Sequence, residues 1–374
     1  VQLQILDRNA VVTAARKTRV ALIGLGGVGE LHLEAYRGID SIEVIAAAEP
    51  NSARRESLLG GTTIRGFADH TELLRRCPAD IVCVLTPSAT HEQLVLDCAA
   101  AGVDVLCEKP IAITLAAAER MRSACENAGV RFCYGASYRY LPAVRKAREL
   151  IRAGAIGRVQ LMREDVVGGR GLASWQPLPP SHYPAGGPGG SGMGIMDHGI
   201  HLIDTFRWLS DSEVIRVTGR GNLSGAAPRT EYIHMDFENG ATGLILSNDA
   251  TFPTALPAEG LFAEGAGWDS TGFVPAGSWS ATPGSLEIYG SEGSLKVFHY
   301  ANALFLFDAS GIRRIPLTGR PSTAHFGTQI ETFAARKIAG GQVPVSASDG
   351  IRALAVALAA YEFDTTGNAV NLGR

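Results

Sequence analysis

Short apolar runs and longer helix-periodic stretches alternate along the first third of the chain. Arg19–Gly24 (RVALIG), Ile42–Glu49 (IEVIAAAE), Ile81–Leu85 (IVCVL), Val103–Leu106 and Arg131–Tyr134 have the length and β-branched content of buried strands. Between them, the stretch from Thr90 through Ala101 and Thr114–Ala128 carry helical periodicity, and Thr90 is a plausible N-cap. Strands alternating with helices predict a parallel sheet with right-handed crossovers. Beyond Tyr134 the pattern changes. A helix, Ala143–Ala153, and a long strand, Val159–Val167, come first, and His201–Leu209 is again helical. Glu231–Phe237 alternates with period two, Asn239-Gly240 is a hairpin turn, and Ala241–Ser247 returns. Ser285–Tyr289, Ser294–His299 and Ala303–Asp308 extend a mostly antiparallel sheet, and helices Phe326–Ala339 and Ile351–Phe363 end the chain. Phe326, Ile330, Phe333 and Lys337 fall on one stripe of the first of these helices. Gly168–Gly190, rich in glycine and proline, reads as a loop over a site or a mobile lid, and Thr251–Pro283, rich in glycine, alanine and proline, as a loop near the site or a subunit contact.

A length of 374 residues implies two domains. The division predicted is an N-terminal arm over 1–17, a nucleotide-binding unit over 18–138 and a second α/β unit over 139–374. A net charge of -3 gives no basic field for nucleic acid or an acidic membrane surface. No run of eighteen apolar residues predicts a membrane span, and 1–17 lacks the apolar core of a signal peptide. The six cysteines contain no Cys-x-x-Cys pair and read as small buried hydrophobes in a reducing, cytoplasmic compartment.

Chemistry enters at the ends of the predicted strands. Gly24-Leu25-Gly26-Gly27-Val28-Gly29 is G-x-G-x-x-G set between strand and helix. Gly24 allows the tight turn, Gly26 lets a pyrophosphate approach the backbone, and Gly29 lets helix pack on strand. The amides at the helix start then face the phosphates. Glu49, closing the second strand, stands where a carboxylate meets the adenosine ribose hydroxyls. Its charge would repel a 2′-phosphate, which favours NAD over NADP, although Arg54 and Arg55 lie close enough to hold such a phosphate. Thr86-Pro87 and His91 lie at the same sheet edge, and the fourth strand runs into Glu108-Lys109-Pro110. A lysine held there beside a carboxylate is an electrostatic or proton-handling candidate. A second cluster is Asp197, His198 and His201, followed by Asp204. Asp197 and His201 are four apart, so both can point from one helix face. Asp and His are also metal-ligand types, but no further ligand cluster is visible and no metal is expected.

These residues form a pattern that resembles the glucose–fructose oxidoreductase/inositol dehydrogenase/MocA (Gfo/Idh/MocA) family over about residues 18 to 374. The likeness rests on Gly24–Gly29, Ala48-Glu49-Pro50-Asn51, Thr86-Pro87 with His91, Glu108-Lys109-Pro110, Arg139 with Pro142, and Asp197, His201 and Asp204. Ser285–Leu295 and Asp349-Gly350-Ile351-Arg352-Ala353 add to it. The resemblance implies a Rossmann domain, doubly wound on a parallel sheet, followed by an α+β domain with an open, mostly antiparallel sheet that commonly mediates a homodimer or homotetramer. It implies NAD or NADP as cofactor, a sugar, cyclitol or sugar derivative as substrate, and a catalytic trio of Lys109, Asp197 and His201. Arg139 matches a position bordering nicotinamide and substrate, and His198 lies beside the trio. The sequence departs from the family at Met193, where a glycine is expected, at His198, a usually apolar position, and at Glu49, where aspartate is more frequent. Two other activities occur among such proteins: glycoside hydrolysis through transient oxidation, and cofactor sensing without catalysis.

Overall fold

The structure is a computed structural model that describes residues 16–167, 194–221, 230–248, 285–299, 302–317 and 324–373. Most of the arm, Gly168–Gly190 and Thr251–Pro283 lie outside the described residues. Two sheets organise the rest.

The first sheet is built from β1 (Thr18–Ile23), β2 (Ile42–Ala48), β3 (Arg65–Phe67), β4 (Ile81–Val84), β5 (Asp104–Glu108) and β6 (Phe132–Gly135). Every pair in it is parallel, in the order β3-β2-β1-β4-β5-β6. The central strands β1, β4 and β5 are buried on both faces, as covered parallel strands must be. Helices α1 (Gly27–Arg37), α2 (Ser52–Leu59), α3 (His70–Arg76), α4 (His91–Ala100) and α5 (Leu115–Ala128) form the crossovers. The order reverses between β1 and β4, which is where an open α/β sheet opens a ligand crevice.

Local chemistry sets the element ends. Thr114 accepts from the amide of Ala117 and starts α5, while Gly129, at a φ of 67°, ends it in the left-handed conformation. Thr90 does not cap α4 with its side chain; its hydroxyl turns back to Thr86 and the carbonyl of Pro87. The β2 strand stops at Ala48, so Glu49 is the first residue of the loop. Elements α2, β3 and α3 are absent from the sequence expectation. They are short, and the low hydropathy of α2 hides its amphipathic face.

The second sheet follows helix α6 (Pro142–Arg152). Its strands are β7 (Val159–Val167), β8 (Val214–Arg220), β9 (Glu231–Phe237), β10 (Thr242–Asn248), β11 (Leu286–Gly290), β12 (Gly293–Phe298), β13 (Ala303–Asp308), β14 (Gly311–Arg314) and β15 (Val370–Asn371). They lie in the order β14-β13-β12-β11-β7-β10-β9-β8-β15. All pairs are antiparallel except β7 with β10. The Asn239-Gly240 turn joins β9 to β10, with Gly240 at a φ of 85°. Helices α7 (Ile200–Ser210), α8 (Ala324–Ile338) and α9 (Ala347–Thr366) are the other α-helices of this half among the described residues. A capping box between Ser346 and Asp349 starts α9.

The last helices also serve the first half. In α8 (Ala324–Ile338), Ile330, Phe333 and Ala334 share a core cluster with Val20, Leu22, Leu33 and Tyr36 of β1 and α1. Lys337 on the same stripe pairs with Asp104 at 2.6 Å. Cys133 of β6 forms a bridge with Ser346, and the amide of Tyr134 donates to the carbonyl of Val345. The expected division at 138 and 139 falls inside a single 3-10 turn, Ser137–Tyr140, and the chain after it returns to complete the first core.

Candidate active site

A cleft of about 900 Å³ opens at the carboxyl edge of the first sheet, a size suited to a dinucleotide. Its floor is the turn from β1 into α1, where Gly24, Gly26, Gly27 and Val28 line it. Gly24 has a φ of 93°, and a Cβ there would meet Thr86 Cγ2 at 2.7 Å. A Cβ on Gly29 would lie 2.2 Å from the carbonyl oxygen of Gly24, so helix and strand touch through hydrogen. A Cβ on Gly26 or Gly27 would meet nothing within 4 Å. Those two glycines therefore leave open space over their backbone, a cradle that fits a pyrophosphate on the amides at the start of α1. Leu25 does not line the cleft: its side chain is fully buried, and its contribution is an amide donated to Glu49 Oε2 at 3.0 Å.

Glu49 lines the far end of the cleft. Its other oxygen accepts from the amide of Asn51 at 3.0 Å, so two backbone donors fix the carboxylate. The neighbouring arginines are engaged elsewhere. Arg54 bonds the carbonyl of Leu25 and Glu30, and Arg55 bonds the carbonyl of Glu49. Asp69 and His70, which motif reading did not select, also line this end.

Thr86 and Pro87 form the next wall. His91 is not part of it. Its imidazole is fully buried and lies against backbone carbonyls, with Nε2 2.7 Å from Thr86 and Nδ1 3.0 Å from Pro110. It ties the turn after β4 to the turn after β5 from behind. Glu108, at the end of β5, reaches the cleft edge but turns its carboxylate inward. Glu108 Oε1 lies 3.1 Å from His32 Nε2, and Oε2 accepts the amide of Lys109 at 3.1 Å. Burial works to raise its pKa, but His32 and Lys109 outweigh burial and hold it below the usual carboxylate range.

Lys109 is thereby aimed out of the first sheet. Its ammonium meets the Asp197 carboxylate, and lies 3.3 Å from the Asp197 carbonyl. Both residues line the cleft, one from each half of the chain. Asp197 sits not on an α-helix but in a π-helical turn, Ile195–Gly199, that leads into α7. The buried carboxylate of Glu231 anchors this turn by accepting the amide of Ile195 at 2.8 Å. A Cβ on Gly194 would meet that carboxylate at 2.3 Å. Residues 197 and 201 therefore do not share the single α-helical face that their spacing suggests. Asp197 points to Lys109, whereas the half-buried His201 ring stacks on Tyr138, with centroids 4.1 Å apart and planes 9° apart. His201 Nδ1 is enclosed and has no hydrogen-bond partner among the described residues. Burial first, and then the Lys109 ammonium, push the His201 pKa well below its ordinary value, so the ring is neutral at neutral pH.

Three expected substrate ligands, His201, Arg139 and His198, are not among the residues that line the cleft. Arg139 does not line the cleft. Its guanidinium binds both oxygens of Asp204, at 2.7 and 2.6 Å, and Asp349 at 3.1 Å. This bidentate pairing locks α7 and α9 to the turn after β6. His198 faces away from the cleft too. Its Nε2 is 3.0 Å from Glu164 Oε1 on β7, and its Nδ1 is 3.3 Å from the Tyr138 hydroxyl. His299, just after β12, puts Nε2 3.6 Å from the same Glu164 oxygen. All three residues are buried; burial pushes Glu164 up to about 7 and His198 down to about 4. The sequence reading, which saw no second ligand group near His198, missed both partners because they come from distant strands.

Residues 18–136 match the description "oxidoreductase family, NAD-binding Rossmann fold", and residues 144–296 match the "GFO/IDH/MocA C-terminal domain". The D-apiose dehydrogenase of Paraburkholderia graminis is 31% identical over 240 residues, covering 63% of this chain and 62% of that protein. The inositol 2-dehydrogenase of Rhizobium meliloti is 27% identical over 355 residues, covering 91% of this chain and 95% of that protein. Among solved structures, the aldose-aldose oxidoreductase of Caulobacter crescentus, complexed with glycerol, shares the fold with a TM-score of 0.75 at 21% identity. That match covers 96% of this chain and 100% of that one. With both halves matched and the two sheets arranged as described, the chain belongs to the Gfo/Idh/MocA family of NAD-binding oxidoreductases.

Proposed function

We propose that the protein transfers a hydride between NAD and the hydroxyl-bearing carbon of a sugar, cyclitol or sugar derivative. One observation carries this reading: the Lys109 ammonium and the Asp197 carboxylate meet at the edge of the glycine-floored cleft. When bound, the nicotinamide supplies the hydride acceptor for oxidation and the donor for reduction. Gly24, Gly26, Gly27 and Val28 hold the pyrophosphate end, and Glu49 receives the ribose hydroxyls. Lys109 donates a hydrogen bond to the reacting oxygen and stabilises its developing charge. Asp197 fixes the ammonium and orients the substrate. His201, neutral at neutral pH, takes the hydroxyl proton on its imidazole in oxidation and returns it in reduction. The names of the apiose and inositol dehydrogenase relatives support the substrate class. The fixed Glu49 carboxylate, with Arg54 and Arg55 otherwise engaged, supports NAD over NADP.

The test is Lys109→Ala and His201→Ala, assayed by absorbance of the reduced nicotinamide against a panel of sugars and inositols. Each substitution is expected to cut turnover by roughly a hundredfold or more while NAD still binds. Normal turnover in both variants would remove these roles.

We further propose that the second sheet joins two or four copies through its outer face, where Tyr232, Leu244 and Tyr289 stand exposed. Among the described residues no helix is long and apolar enough to cross a membrane. All six cysteines are free thiols, which supports a reducing, cytoplasmic setting.

A further inference from the structure

We propose that Glu164, His198 and His299 form a binding site for one first-row divalent cation, zinc foremost, behind the catalytic cleft. The three side chains come from three separate elements: β7, the π-helical turn and the end of β12. Their donor atoms all lie within 4.8 Å of one another. Glu164 Oε1 is 3.0 Å from one imidazole nitrogen and 3.6 Å from the other. Around a zinc ion with bonds of about 2.0–2.2 Å, tetrahedral ligands sit about 3.3–3.6 Å from each other. The trio therefore needs only small movements to close on an ion.

The chemistry of the donors selects the metal. Two imidazoles and one carboxylate suit zinc or a neighbouring transition metal, whereas magnesium and calcium prefer oxygen cages. A hydrogen-bonded Glu–His pair in a protein core is the plainer reading. Against it, the Glu164 side chain is fully buried, and its Oε2 has no hydrogen-bond partner among the described residues. A buried carboxylate left half-satisfied is costly, and a cation bound to it would offset that cost.

The position gives the ion a task. The Tyr138 hydroxyl lies 3.3 Å from His198 Nδ1, and the Tyr138 ring stacks on His201. A metal on His198 Nε2 would fix that imidazole, and through Tyr138 the catalytic ring, as outer groups orient the ligands of known metal sites. His198 is thus a positioning residue.

The experiment uses the full chain. The protein is stripped with dipicolinate, dialysed and titrated with zinc chloride. Bound metal is read by elemental analysis, and cobalt(II) is read by its visible tetrahedral bands. About one zinc per chain is expected, with a higher melting temperature on rebinding. Glu164→Gln and His299→Asn should each weaken zinc binding roughly a hundredfold, while NAD binding and circular dichroism show that they fold. If the stripped wild type takes up no zinc, or both variants hold it as tightly as the wild type, the proposal is overturned. Should the variants not fold, uptake and the cobalt spectrum of the wild type decide alone, an octahedral water-like spectrum counting against the site.

Discussion

On the proposed reading, a single side chain, Glu49, sets the cofactor preference. Two backbone amides hold its carboxylate at the cleft wall, so it cannot swing away from an added phosphate. Glu49→Ala should relax the preference for NAD over NADP by about tenfold or more, the scale of about 1.4 kcal/mol for one charge contact. Titration of both nucleotides measures this, and tighter NADP binding to the wild type would reverse the assignment. His201 makes a second prediction. Burial lowers its pKa first, and the charges or rings around it, Lys109, His198, His325 and His299, lower it further. A lowered pKa keeps the base form present at pH 7. Oxidation should therefore hold its rate down to a limb below about pH 6.5 and fall as the imidazole gains a proton. The kcat/KM profile measures that limb, which should vanish from whatever activity His201→Ala retains.

At the scale of elements, what the sequence made legible was local in the chain. Gly24–Gly29 lies between β1 and α1, and Glu49 follows β2 directly, so order along the chain was enough to place them. Pairings across long separations were not legible. Arg139 reads as a substrate ligand until Asp204 and Asp349, 65 and 210 residues away, take its guanidinium. His91 reads as a cleft residue until its ring is found packed on the carbonyls of two turns. The Asp197–His201 spacing suggests a shared helix face, but a widened turn re-aims the aspartate. Neither period two nor period 3.6 encodes such contacts. The outer sheet face makes the prediction proper to this scale. Tyr232 on β9 and Leu244 on β10 are 42% and 36% exposed, on a face expected to meet a second copy. Tyr232→Glu with Leu244→Glu should shift the protein toward monomer in sedimentation velocity. A wild type that sediments as a monomer would refute the contact.

Across the whole molecule, the two sheets share their support. Phe333 of α8 is fully buried among residues of β1 and α1, although it stands nearly 200 residues beyond the first sheet. Phe333→Ala should cost about 3–5 kcal/mol and lower the melting temperature of the entire protein in one transition. Two separate transitions, with the nucleotide half unaffected, would contradict the shared core. The thiols fit the same picture, since all six are buried and burial pushes Cys83, Cys125 and Cys133 up to about 12.

The return of α8 onto α1 also bears on how this protein can be dissected. A fragment cut after Gly135 would keep every glycine of the proposed nucleotide cradle yet bare the flank that Ile330, Phe333 and Ala334 cover. Such a piece would be sticky and short of its own stability. On the proposed reading, cofactor affinity is thus inherited from a chain that must be finished before it can be expressed.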